Sequence, residues 1–262
     1  MKKKVIGLVG VGCLLVAGQA SATLVGALAG YQGPLYFDLS GYSKSLDKGE
    51  TWGVITVNGV FADQLQTADN RLWGSEVGDQ IYGVFYGLTD NYITKTSTGF
   101  SIGQQGGGFT LYTVAHGVDL LQGPDDRIGE DGYTGMGSDV LLKGVFEPGV
   151  DPLNASVTVV QTVLDDKSPT SGQGIGYGSV TSGALYSQLN SDMIVDSSDG
   201  VHDMLFSFNV LLPDEDGAEV EWSQSLTDPI EAHTAPVPEP ATMLLFGAGL
   251  MGLAFMGRNF RK

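Results

Sequence analysis

Residues 202–212 alternate: Met204, Phe206, Phe208, Val210 and Leu212 fall on one side of the chain, Ser207 and Asn209 on the other. A period of two is what a strand with one buried face requires, because successive side chains point to opposite faces. Comparable short runs occur at 34–39, 51–61, 80–88, 92–102, 109–115, 140–146, 157–164, 175–189 and 218–223, each bounded by Gly, Asp, Asn or Pro. No stretch of a dozen residues between the two ends of the chain has clean helical spacing. At most a short helix over 62–72 and one turn within 185–193 are expected. The pattern predicts an all-β fold, an antiparallel β-sandwich or jelly-roll-like domain. No repeat of fixed period is present, which disfavours a solenoid or propeller.

Three stretches read as loops. Residues 103–108 are Gly-Gln-Gln-Gly-Gly-Gly, 123–139 combine five acids with five glycines, and 165–178 contain Ser168-Pro169. Within the last, glycines at 172, 174, 176 and 178 would equally suit a strand with one bare face laid against a backbone or an aromatic ring. Residues 226–236 begin a stretch with prolines at 229, 236, 238 and 240. Their missing N–H donors and fixed φ predict an extended linker, so the folded domain is expected to span 23–225.

Both ends look like targeting segments. Lys2, Lys3 and Lys4 precede an uncharged apolar run to Ala17, and Ala20 and Ala22 supply the small residues of a cleavage site ahead of Thr23. This is the layout of a secretory signal peptide over 1–22, handled by the general secretion machinery. Its apolar run is too short to cross a bilayer. Cys13, the sole cysteine, lies inside that run without the flanking residues of a lipid-attachment site. The mature chain is therefore expected to have no disulfide and no thiolate.

Between Thr23 and Pro236 there are seven basic residues against 29 acids, a formal charge of −22. Such a surface repels phosphate backbones and anionic lipid heads, so no nucleic acid is expected as a partner. The membrane is expected to be met only through the C-terminus. About 200 residues can bury one sizeable core.

After the proline-rich stretch come Pro238-Glu239-Pro240, an uncharged apolar run over 241–257, and a basic tail, Arg258-Asn259-Phe260-Arg261-Lys262. Seventeen residues make a helix of about 25 Å, the lower edge of a membrane span, and the basic tail favours a cytoplasmic end. This order of elements at 237–262 resembles the PEP-CTERM proteins of Gram-negative bacteria, substrates of exosortase. The resemblance implies that Pro238, Glu239 and Pro240 are recognised by a membrane-embedded cysteine transpeptidase. The helix is then removed from an inner-membrane-anchored precursor, and the domain reaches the cell surface or extracellular matrix. It also implies exopolysaccharide as a partner in a biofilm matrix. It says nothing of 23–225.

The middle of the chain offers little chemistry. His116, His202 and His233 are isolated, with no metal-ligand spacing among them. Ser45-Leu46-Asp47-Lys48 matches the string of serine acyl enzymes but is followed by Gly49 rather than a helical run. Asp125, Asp126, Glu130, Asp131 and Asp139 would suit Ca²⁺, yet the EF-hand spacing fails, and the stretch reads as a solvated acidic loop. Tyr82, Tyr86 and Tyr92 could stack on a sugar, although aromatics at strand spacing are ordinarily core. No catalytic, metal or cofactor site is assigned, and no cofactor is expected. The chain is expected to be a non-enzymatic structural or adhesive protein. A lectin-like module, with or without calcium, and a secreted polysaccharide hydrolase are the alternatives.

Overall fold

The computed structural model describes residues 19–46, 49–75, 80–114, 139–164, 171–211, 224–227 and 230–234. A helix, α1 (Gln19–Leu28), precedes β1 (Pro34–Ser45), β2 (Glu50–Phe61), β3 (Arg71–Gly74), β4 (Gln80–Lys95), β5 (Gly99–Val114), β6 (Asp139–Glu147), β7 (Val159–Leu164) and β8 (Ser171–Ser182). A one-turn helix α2 (Tyr186–Leu189) and a minimal hairpin, β9 (Ile194–Val195) and β10 (Val201–His202), come next. The chain then continues through β11 (Met204–Leu211), β12 (Gln224–Thr227) and β13 (Ile230–His233).

Apart from the β9–β10 hairpin, the strands form one antiparallel sheet that closes on itself. Three positions in the ring are shared by two strands lying end to end. β3 and β4 both pair with β2, β6 and β7 both bridge β5 and β8, and β12 and β13 both bridge β11 and β1. Eleven strands thus fill an eight-position, up-and-down barrel in which neighbours in sequence are neighbours in space. The expected sandwich or jelly roll is not what forms. Period-two alternation is common to both architectures, and only closure of β1 onto β12 and β13 distinguishes them.

The interior is apolar. Leu35, Phe37 and Leu39 of β1 meet Ile55 and Val57 of β2, and Phe109 and Leu111 of β5 lie in the same cluster. Phe109, Phe146 and Phe206 pack mutually tilted, with centroids 4.9–5.4 Å apart, a geometry that adds about 1 kcal/mol per pair beyond burial. These rings have room because β8 turns a bare glycine face inward. A Cβ at Gly178 would stand 2.9 Å from both Phe109 and Phe206, and one at Gly174 would overlap the Phe208 ring. The bare-face reading of 172–178 is therefore the one that forms, with residues from Ser171 onward in β8.

Outward positions on β11 and β13 are mixed: Asn209, Glu231 and His233 are polar, whereas Leu211 is apolar and exposed. A second cluster of Trp52, Val54, Tyr82, Val84, Tyr112 and Val114 lies on the outward face of β2, β4 and β5.

One end of the barrel is plugged. Leu24 and Leu28 of α1 and Leu185 and Leu189 around α2 are all but fully buried against the core. The expected cut between Ala22 and Thr23 falls within α1, so it would leave both of the helix's plugging leucines with the barrel.

Several expectations change. The glycine-rich 103–108 is not a loop but the middle of β5, where Gly106 and Gly107 take φ of +71° and +84°. The expected strand 92–102 is instead a hairpin between β4 and β5, turned at Thr96 to Gly99. The linker expected over 226–236 supplies the end of β12 and all of β13, so the barrel runs to Thr234 rather than residue 225. The short helix expected in 62–72 shrinks to a 3₁₀ turn, Ala68–Asn70.

Candidate functional site

Toward the end of the barrel opposite α1 lies a cavity of about 60 Å³. Its surface is mostly apolar: Phe85, Phe109, Phe146, Phe206 and Phe208 border it together with aliphatic side chains such as Leu39, Ile55 and Val159. Its polar lining consists of neutral side chains, including Ser43, Thr51, Gln104 and Gln161. Gln104 is placed there by the irregularity in β5. Phe109 and Gln104 are five residues apart and would face opposite sides of a regular strand, yet both look inward because Gly106 and Gly107 break the alternation. Gln104 Nε2 donates to Thr51 Oγ1 at 2.9 Å and to Asp90 Oδ1 at 3.2 Å. The amide is thereby fixed across β2, β4 and β5.

A second polar cluster lies beside β8. His202 is buried, its ring stacked on Tyr177 with centroids 4.5 Å apart. Its Nε2 lies 3.0 Å from Asp196 Oδ2 and its Nδ1 3.1 Å from Glu147 Oε2. The ring thus bridges Asp196, in the β9–β10 turn, to Glu147 at the end of β6. Asp196 Oδ1 also accepts the N–H groups of Ser198 and Gly200. The hydrogen bond from His202, followed by these two backbone bonds, holds the Asp196 carboxyl below the usual carboxylate range. Next in sequence, the fully buried Asp203 accepts from the N–H groups of Val180, Ser191 and Asp192 at 2.6–2.9 Å. That carboxylate ties the segment after α2 to the barrel wall. Alternation identifies His202 as a strand end, but nothing local in sequence marks Glu147, 55 residues away.

The other residues nominated from sequence scatter. Tyr82 is buried and stacked on Tyr112 with centroids 5.1 Å apart, so it offers no face to a sugar. Tyr86 packs against the same cluster. Tyr92 covers Gly103 and donates its hydroxyl to Asp151 at 3.1 Å. The three tyrosines therefore do not form a platform. Ser45 lies 3.5 Å from Thr51 through their hydroxyls. His233, expected in a linker, is in β13, 3.2 Å from Glu231. Asp139 opens β6. His116, Lys48, the rest of the acidic stretch 123–139, Pro238, Glu239, Pro240 and the expected span 241–257 lie outside the described residues. Among the described residues no helix is long and apolar enough to cross a membrane, and no group of three His, Cys, Asp or Glu could hold a metal ion.

The C-terminal boundary of the barrel is sharply defined. Gly33 N–H donates to Thr234 Oγ1 at 2.9 Å, and Thr234 N–H donates back to Gly33 O at 3.1 Å. Fold and junction together describe a closed barrel whose last strand runs almost directly into a sorting signal. The family profile of the PEP-CTERM protein-sorting motif matches residues 236–262, two residues beyond that pin. The chain thus carries this motif at its C-terminus, which marks an exported, exosortase-targeted protein with a membrane-anchored precursor. No curated protein and no solved structure matches the chain.

Proposed function

We propose that the barrel is a non-catalytic component of the cell surface or its exopolysaccharide matrix, freed from its membrane anchor by exosortase acting at Pro238-Glu239-Pro240. The observation that carries this reading is the sorting motif beginning at residue 236, immediately after the closing strand β13. In this reading residues 1–22 are removed by the general secretion machinery, and the apolar run 241–257 holds the precursor until it is cut.

The short junction orients the domain. From Thr234 to Pro238 the chain can reach at most about 14 Å when fully extended. β1 starts and β13 ends at the plugged end, so that end faces the membrane and the cavity points away from it. Among the described residues the side chains around this apolar cavity are neutral, which favours a binding or scaffolding role over hydrolysis.

The test replaces Pro238, Glu239 and Pro240 together by alanine in the native host, followed by fractionation and intact-mass measurement. The unaltered protein is expected at the surface or in the matrix with both termini shortened. The variant is expected in the inner membrane with its C-terminus intact. An unaltered protein that keeps residues 241–262 would overturn the reading.

A further inference from the structure

We propose that the cavity toward the end of the barrel opposite α1 binds the end of an extended alkyl chain belonging to an uncharged amphiphile. This does not depend on how the chain is sorted. At about 60 Å³ the cavity is less than half the size of the ~150 Å³ apolar cavity known to admit benzene. A volume that small takes the end of an unbranched alkyl chain more readily than a whole aromatic ring. An apolar wall of this kind gives water few hydrogen-bond partners, so the cavity favours hydrocarbon over solvent.

The polar lining selects the head group. Among the described residues no Asp, Glu, His, Lys or Arg lines the cavity. Both Nε2 protons of Gln104 are engaged by Thr51 and Asp90, which leaves its Oε1 to accept from a hydroxyl or an amide N–H. A carboxylate head would meet that oxygen close to the Asp90 carboxyl, which holds the same amide through Nε2 at 3.2 Å, in a chain with 30 acidic against 13 basic side chains. It would find no cation among the described lining residues. A long-chain alcohol or N-acyl amide satisfies the site and a fatty acid anion does not.

The experiment uses the full-length chain in lipid nanodiscs, labelled with 4-fluorophenylalanine and observed by ¹⁹F NMR. Five of the 11 phenylalanines line the cavity, so the readout is local and separates occupancy from partition into lipid. The probes are 1-decanol, decanoate and benzene. Saturable shifts of the cavity resonances are expected with decanol, binding at least about tenfold weaker with decanoate, and no shift with benzene. Still cavity resonances under decanol, equal affinity for decanoate, or a benzene response matching that of decanol would each overturn the proposal. Val159→Phe, which fills the space, should abolish the decanol response, and Gln104→Leu should close the gap between decanol and decanoate. Should either variant fail to fold, the three probes on the unaltered chain still decide.

Discussion

Asp196 shows how a single side chain organises a surface turn. Its two oxygens collect the ring of His202 and the N–H groups of Ser198 and Gly200. Because these bonds favour the ionised form, the folded value lies below that of the unfolded chain. The stabilisation is therefore fully present above the ordinary carboxylate value of about 4 and is lost as pH falls through the lower folded value. Replacing Asp196 by Asn should lower the urea midpoint at pH 7, and the gap between variant and parent should close as the pH drops below about 4. An equal gap at both ends of that range would show that the carboxylate charge is not what matters. Such a cluster is barely legible beforehand, since Glu147, Asp196 and His202 come from three separate segments with no shared spacing.

At the scale of elements, β8 was half legible. Glycines at every second position show a bare face, but the sequence does not say what lies against it. The structure supplies Phe109, Phe206 and Phe208 from the strands around and across the barrel. The sign of a substitution follows from magnitudes. Alanine in place of a strand glycine gains about 0.5–1 kcal/mol from backbone entropy, whereas overpacking a core costs about 1–3 kcal/mol. With ring atoms 2.9 Å away on two sides, the second effect wins at Gly178. Gly178→Ala should lose about 1–2 kcal/mol in chemical unfolding, while Ser179→Val, on the outward face, should not. A neutral Gly178→Ala would mean that the rings can yield. β5 was misjudged for a related reason. Runs of glycine suit both loops and bulges, and only pairing with β4 on one side and β6 and β7 on the other shows that 103–108 remain in a strand. Prolines misled similarly at β13, since Pro229 and Pro236 flank the strand rather than interrupt it.

For the molecule as a whole, strand content was legible from alternation, but closure was not, because it depends on which edges finally meet. β12 and β13 stand between β11 and β1, so a chain ending at Ser225 would leave two long edges unpaired. A fragment spanning 23–234 should unfold cooperatively in urea and run as a single species in size exclusion. One spanning 23–225 should aggregate or lack a cooperative transition. Cooperative folding of the shorter piece would make β13 an accessory.

The seam between Gly33 and Thr234 joins residues 201 apart in sequence. Contacts of such long range form slowly, since the whole intervening chain must be ordered first. On the export route proposed above, with the amino end leading, the wall therefore cannot shut until almost the last outward-bound residues have emerged. Until then β11 and β1 keep a raw edge each, and the greasy lining between them has no closing strand.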